Sequence, residues 1–172
     1  MKEIVEIKPF TTEFELVHLP ACRIIGKEIR NGGKLGNTAP KLWDEVYSTN
    51  VHSVLEKLPH LISKDLFGWT CEYDSETDTF IYIVCALTPM DTKVPDGFTY
   101  RDIPETICAK GLYGEDVGQT LQRAEKVGYQ ANWEKPGCGW NAEMYFHEEE
   151  ENPPMESATQ WHWLIPVVEM AK

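Results

Sequence analysis

Apolar and polar side chains alternate along "WNAEMYF", Trp140 to Phe146. Trp140, Ala142, Met144 and Phe146 fall on one side of a strand, and Asn141, Glu143 and Tyr145 on the other. One side is a packing face. The other carries an acid between an amide and a phenol. An earlier segment, "GWTCEY" from Gly68 to Tyr73, starts in the same way as "GWNAEMY". Both open Gly-Trp, and both place a Glu three residues after the Trp, at Glu72 and Glu143.

The pattern repeats on a larger scale. "FELVHLPACRIIGKEIR" from Phe14 and "FTYRDIPETICAKGLYG" from Phe98 each carry a Pro six residues after the Phe, at Pro20 and Pro104. Each predicts a strand bent or bulged at the Pro, which has no N–H for a central ladder. A helix follows in each half. In "TAPKLWDEVYSTNVHSVLEKL", Thr38 is the expected N-cap and Pro40 lies in the first turn. Leu42, Val46, Val54, Leu55 and Leu58 recur at roughly helical spacing. "EDVGQTLQRAEKVGYQ" opens on two acids, which suit a helix N-terminus. Its Val117, Leu121, Ala124 and Val127 form one stripe. "FIYIVCAL" (Phe80 to Leu87) then answers to "WHWLIPVV" (Trp161 to Val168).

The order β-α-β-β thus occurs twice, joined by "TPMDTKVPDG", and ordered self-similarity marks a duplicated unit. The expected fold class is α+β. Tandem β-α-β-β modules form one concave antiparallel sheet, with the helices on one side and a central ligand cleft. A single domain over residues 1–172 is expected, with pseudo-repeats at about 10–90 and 95–170. Each module packs its helix on one sheet face, and the open face is expected to curve into a groove between the copies. "KEIVEIKPF" lies outside the repeat and is a candidate edge strand. "HEEEENPPMES" reads as a charged, Pro-broken loop, solvated by default and a candidate contact for a protein partner.

Charge and cysteine usage narrow the picture. The formal net charge of −12 opposes a nucleic-acid surface and is compatible with attracting cations. The five cysteines, Cys22, Cys71, Cys85, Cys108 and Cys138, are odd in number, form no C-x-x-C and sit mostly among apolar residues. They read as reduced thiols of a cytoplasmic protein. "MKEIVEIKPF" carries charges throughout and no long apolar core, so no signal peptide is expected, and no run in the sequence is long enough to span a membrane as a helix. His18, His52, His60, His147 and His162 show no metal-ligand spacing. No nucleotide-binding glycine pattern or nucleophile elbow is present, so no cofactor is expected. "NGGKLGN", Asn31 to Asn37, reads as a flexible loop and a candidate cover for the cleft.

Glu143 lies off the packing face and so faces the groove. A charged acid among aromatic walls is costly when unpaired. Either its pKa rises, or a cationic ligand pairs with it while stacking on aromatic rings. The bland alternative is a half-exposed strand Glu without a role. Candidate walls are Tyr145, Tyr82, Trp161, Trp163, Trp69 and Tyr113. Trp161 and Trp163 share a face, so both line the groove or neither does. Tyr82 shares a face with Phe80 and Val84 and serves groove or core equally well. Trp140 reads as packing, and Tyr113 as a rim residue before the second helix.

The doubled β-α-β-β pattern, the Pro-bent strands and "WNAEMY" together resemble the GyrI-like small-molecule-binding domains. These are also known as AraC-type or bacterial transcription-activator effector-binding domains. The resemblance covers roughly Phe10 to Val168. It implies a central cleft for bulky, often cationic or aromatic molecules, with the second module's strand acid at the floor; Glu143 is the matching position. Members occur fused to DNA-binding helices, free-standing, or in some cases as hydrolases of reactive cyclopropane-bearing compounds. This chain enters the binding module almost at once, so a free-standing binder is expected. The alternatives are a hydrolase using Glu143 with Tyr145 or Tyr113, and a protein-binding inhibitor. Glu72 departs from the family pattern: it either makes the cleft doubly acidic or points at solvent.

Overall fold

The computed structural model of the chain describes residues 2–8, 13–145 and 161–172. The acid run Glu148 to Glu151 and His147 lie outside the described residues.

Each predicted Pro-bent strand is two strands. β2 (Glu15–Leu19) ends before Pro20, and β3 (Cys22–Gly32) begins after Ala21. β6 (Thr99–Ile103) and β7 (Thr106–Lys110) are separated in the same way by Pro104 and Glu105. The missing Pro N–H ends the ladder, and the chain changes partner there. β2 pairs with β7 and β6 with β3, so each copy lends its first strand to the other copy. β4 (Phe67–Asp74), β5 (Thr79–Pro89), β9 (Trp140–Met144) and β10 (His162–Glu169) complete the two modules.

With β1 (Ile4–Glu6) at one edge, the strand order is β1-β2-β7-β10-β9-β4-β5-β3-β6. Read outward from the β9–β4 centre, both halves follow the same sequence of equivalent strands. At that centre Thr70 pairs with Asn141, the residue in its own place in the other copy. A pseudo-two-fold axis therefore passes between them. The N-terminal segment supplies β1 (Ile4–Glu6), which joins β2 in parallel at the edge. β8 (Tyr129–Ala131), absent from the sequence reading, pairs with β10.

The first helical segment is two helices, α1 (Ala39–Ser48) and α2 (Val51–Glu56). Thr38 holds the cap position of α1 but does not cap it through its side chain: its hydroxyl donates to the Arg30 carbonyl at 2.7 Å. The Asn37 side chain takes the Ala39 N–H instead. α3 (Val117–Lys126) starts with a complete capping box between Asp116 and Gln119.

Two faces of the sheet bury different things. On one face, alternate residues from both copies, including Val17, Ile24, Phe67, Trp69, Ile83, Cys108, Trp140, Met144 and Leu164, form one core without any helix. The sheet curls around this core. Arg101 of β6 donates to Glu72 of β4 at 2.6 Å although β3 and β5 lie between those strands. In a flat sheet they would stand roughly 14 Å apart, at the usual strand spacing. On the other face α1 and α2 cover β3 and β5 through Leu42, Val46, Leu55 and Val84, and α3 covers β7 and β10 through Ala124, Ala109 and Val167. The strip between the two helical layers is open.

That strip corrects one expectation. The groove lies on the helix-bearing face, between the helices of the two modules, and not on the face opposite them. The opposite face is closed by the curl of the sheet itself.

Candidate ligand cleft

Parity along β9 decides what enters the strip. Trp140, Ala142 and Met144 are buried in the core, which leaves Asn141, Glu143 and Tyr145 facing the cleft. Gly68 of β4 stands directly across from Glu143. Tyr82 comes from β5, with its ring in the helix-side core and its hydroxyl in the cleft. The cleft encloses about 1250 Å³.

Glu143 is the centre of a hydrogen-bonded set. The Tyr82 hydroxyl donates to its Oε2 at 2.7 Å, and the Tyr145 hydroxyl donates to the same oxygen at 2.5 Å. The Trp43 indole N–H of α1 in turn donates to the Tyr82 oxygen at 2.9 Å. No hydrogen bond reaches Oε1 from the described residues, which leaves that oxygen as an acceptor for a ligand. Burial raises the Glu143 pKa, and the hydrogen bonds from Tyr145 and Tyr82 work against that rise. Burial and the neighbouring carboxylate push both phenols up, so they remain donors.

A run of rings extends from this acid. Tyr145 meets Trp43 edge-on at 5.2 Å between centroids, and Trp43 stacks on Tyr47 at 6.0 Å. On the other side Tyr145 meets Trp161 at 5.5 Å, and Trp161 meets Trp163 at 5.9 Å. Trp161 and Trp163 both line the cleft. Among the described residues, the charged side chains around it are Asp44, Glu56, Asp65 and Glu143 against Lys64, so these walls are net acidic.

Three expected positions lie elsewhere. Trp69 is fully buried and packs on Trp140 at 4.2 Å between ring centroids, on the core face. Tyr113 is exposed, its ring 5.5 Å from His162, and does not line the cleft. Glu72 sits at a register shift in β4 with φ +54°, which turns it out of alternation. It pairs with Arg101, and that hydrogen bond lowers its pKa. We expect Glu72→Gln to leave ligand affinity unchanged and to cost at most about 1 kcal/mol, since the pair is largely exposed. The lowered pKa makes this contribution present at neutral pH and lost on acidification through the carboxylate range. Thermal melts from pH 7 down to pH 3 check the sign. Loss of ligand binding in this variant instead would place a second working acid in copy one.

Trp43, Tyr47 and His52 were missed. Trp43 and Tyr47 are four residues apart, one step round α1 from Leu42 and Val46. An aromatic i, i+4 pair flanking an apolar stripe is the signal that finds them.

A sequence model described as an integron-associated effector-binding protein, Cass2, matches residues 15–167. The chain belongs to this family. The solved structures similar to this effector-binding fold include SAV2435 bound to tetraphenylphosphonium, at 12% identity and a TM-score of 0.58, over 91% of this chain and 94% of that one. The C-terminal domain of EcmrR matches at 15% identity and 0.54, over 92% and 98%. An integron cassette protein of Vibrio cholerae matches at 16% and 0.50, over 90% and 95%. At these identities the structural likeness establishes the fold, which is GyrI-like as the sequence implied. No curated protein matches the chain. Among the described residues no helix is long and apolar enough to cross a membrane.

Proposed function

We propose that this effector-binding domain takes bulky aromatic cations in its central cleft. The observation that carries the reading is Glu143: a half-buried carboxylate held by two phenols on one oxygen and surrounded by rings. In the empty protein that charge is poorly solvated, which its raised pKa reflects. A cation that enters restores the lost solvation by pairing with the carboxylate. Its apolar groups meet the faces of Trp43, Trp161 and Trp163, which add cation–π attraction. The phenols fix the carboxylate so that it need not reorganise when the ligand arrives. The large cleft and its aromatic walls set few shape constraints, so charge selects and area binds. A neighbour of the same fold with tetraphenylphosphonium bound is consistent with a ligand of this size and charge.

The test compares two ions of nearly equal shape and opposite charge. Titration with tetraphenylphosphonium should quench tryptophan fluorescence to saturation. Tetraphenylborate should bind at least about tenfold more weakly, because the carboxylate attracts the phosphonium and repels the borate, and unit charges about 6 Å apart interact by roughly 3 kcal/mol at an effective dielectric constant of about 20. Equal or tighter binding of the borate would remove the electrostatic half of the reading.

A further inference from the structure

A Gly-Trp pair stands at the start of the equivalent strand of each copy, Gly68 within β4 and Gly139 just before β9, but only one of the two glycines is crowded. A Cβ built on Gly139 meets nothing closer than the Trp133 carbonyl, at 3.5 Å, an ordinary contact. A Cβ built on Gly68 would lie 2.1 Å from the Tyr82 hydroxyl oxygen and 2.5 Å from Glu143 Oε2. Those are the two atoms joined by the 2.7 Å hydrogen bond. The bond therefore passes over the bare backbone of β4, at the position facing Glu143 across the sheet. This asymmetry follows the asymmetry of the two acids. Glu143 enters the cleft over Gly68, whereas Glu72 leaves it and pairs with Arg101.

We infer that Gly68 is a specificity-determining positioning residue: its missing side chain is the space in which Tyr82 and Glu143 meet, and filling it uncouples the phenol from the carboxylate. The inference rests on the proposed role of Glu143 in cation selection. Gly68 touches no ligand. It acts by setting where the carboxylate stands and which oxygen the phenols occupy. With a methyl group at 68, either the Tyr82 ring withdraws or Glu143 turns away, because both contacts are shorter than real Cβ neighbours tolerate. Glu143 then loses one of its two donors and the orientation that presents Oε1.

The experiment uses the full chain as wild type, Gly68→Ala, Tyr82→Phe, the double variant Gly68→Ala/Tyr82→Phe, and Gly139→Ala as the control for a glycine at the equivalent strand position. Affinity is measured for tetraphenylphosphonium and for the neutral probe N-phenyl-1-naphthylamine, and ligand-free melting is recorded for all five. Gly68→Ala should weaken tetraphenylphosphonium about tenfold or more, because a carboxylate turned out of its place gives up much of its Coulomb attraction for the cation. The neutral probe should change by less than about threefold, because it carries no charge for the carboxylate to attract. Gly139→Ala should match wild type in both. Removing the Tyr82 oxygen removes the nearest of three contacts under 3.0 Å; Glu143 Oε2 at 2.5 Å and the Tyr82 ring carbon Cζ at 2.9 Å remain, both on side chains that can give way, so the double variant should bind the cation like Tyr82→Phe alone and melt above Gly68→Ala. Additive losses in the double variant, or cation affinity in Gly68→Ala within about twofold of wild type, would overturn the inference. If Gly68→Ala does not fold, the double variant decides: a folded protein with the affinity of Tyr82→Phe supports the steric account, and an unfolded one rejects it. If wild type binds no tetraphenylphosphonium, the cation reading fails by itself. The ligand-free melting cycle then still decides whether Gly68 makes room for the phenol.

Discussion

Glu143→Gln should weaken tetraphenylphosphonium binding by roughly 1.5–3 kcal/mol, about 10- to 150-fold, the scale of the Coulomb attraction between unit charges about 6 Å apart at an effective dielectric constant of about 20. The amide keeps the size of the carboxylate and one oxygen to accept from Tyr82 and Tyr145, so the cleft keeps its shape. Neutral aromatic probes should bind the variant as well as wild type or better. Stability should hold or rise, because an unpaired, partly desolvated acid is a cost to the empty protein. The pH dependence has a definite sign. Burial raises the folded-state pKa of Glu143, so this group favours the folded state fully at low pH. That contribution is lost as pH climbs from the ordinary carboxylate range through the raised value. Cation affinity runs the other way and grows over the same window as the carboxylate ionises. Glu143→Gln should flatten both profiles. Isothermal titration and thermal melts between pH 4 and pH 8 read them together. A variant that binds the cation like wild type with an unchanged pH profile would show Glu143 to be an ordinary strand residue.

The legible part of this site was the part written in local parity. Alternation along β9 put Trp140, Ala142 and Met144 inward and left Glu143 and Tyr145 on the other face, because side-chain direction in a strand has period two. The same rule sets Trp69 beside Trp140 on the core side, so its place among the candidate walls ran against its own parity. What parity cannot state is which sheet face carries the cleft. That depends on where α1, α2 and α3 settle and on the curl that closes the other face. For this reason Trp43 and Tyr47, which reach the cleft from a helix, were missed, and the groove was assigned to the wrong face. Glu72 stays open between cleft and solvent in the sequence for another reason. Its counterpart position in copy two follows regular alternation, but β4 shifts register between Cys71 and Asp74 with Glu72 at positive φ. A non-glycine residue in that conformation carries no sequence signal strong enough to anticipate it. The exchange of β2 and β6 between copies is a long-range pairing. The two prolines marked the break but not the new partner.

Trp69→Ala should be the most destabilising single change at any position considered for the cleft, with little effect on ligand affinity. Trp69 is fully buried, and its ring packs on Trp140 at 4.2 Å between centroids in the core shared by both copies. Truncating a buried Trp to Ala removes its transfer energy and leaves a cavity, together about 3–5 kcal/mol. For a chain of this size that is a fall in Tm of roughly 6–20 °C at about 2–4 °C per kcal/mol. Neither Trp69 nor Trp140 finds a hydrogen-bond partner for its indole N–H among the described residues. Trp69→Phe, which removes an unpaired donor and keeps an aromatic ring, should therefore cost much less than the alanine. Trp163→Ala is the counterpart on the other face. That ring is only partly buried and lines the cleft, so its loss should lower Tm little and weaken tetraphenylphosphonium severalfold, in line with about 0.5–1 kcal/mol for a cation–π contact at an exposed site. Melting curves and fluorescence or calorimetric titrations, made well below each variant's Tm, separate the two effects. A Trp69→Ala protein that stays folded yet binds the cation more weakly than Trp163→Ala would mean that the core face, and not the strip between the helices, holds the ligand.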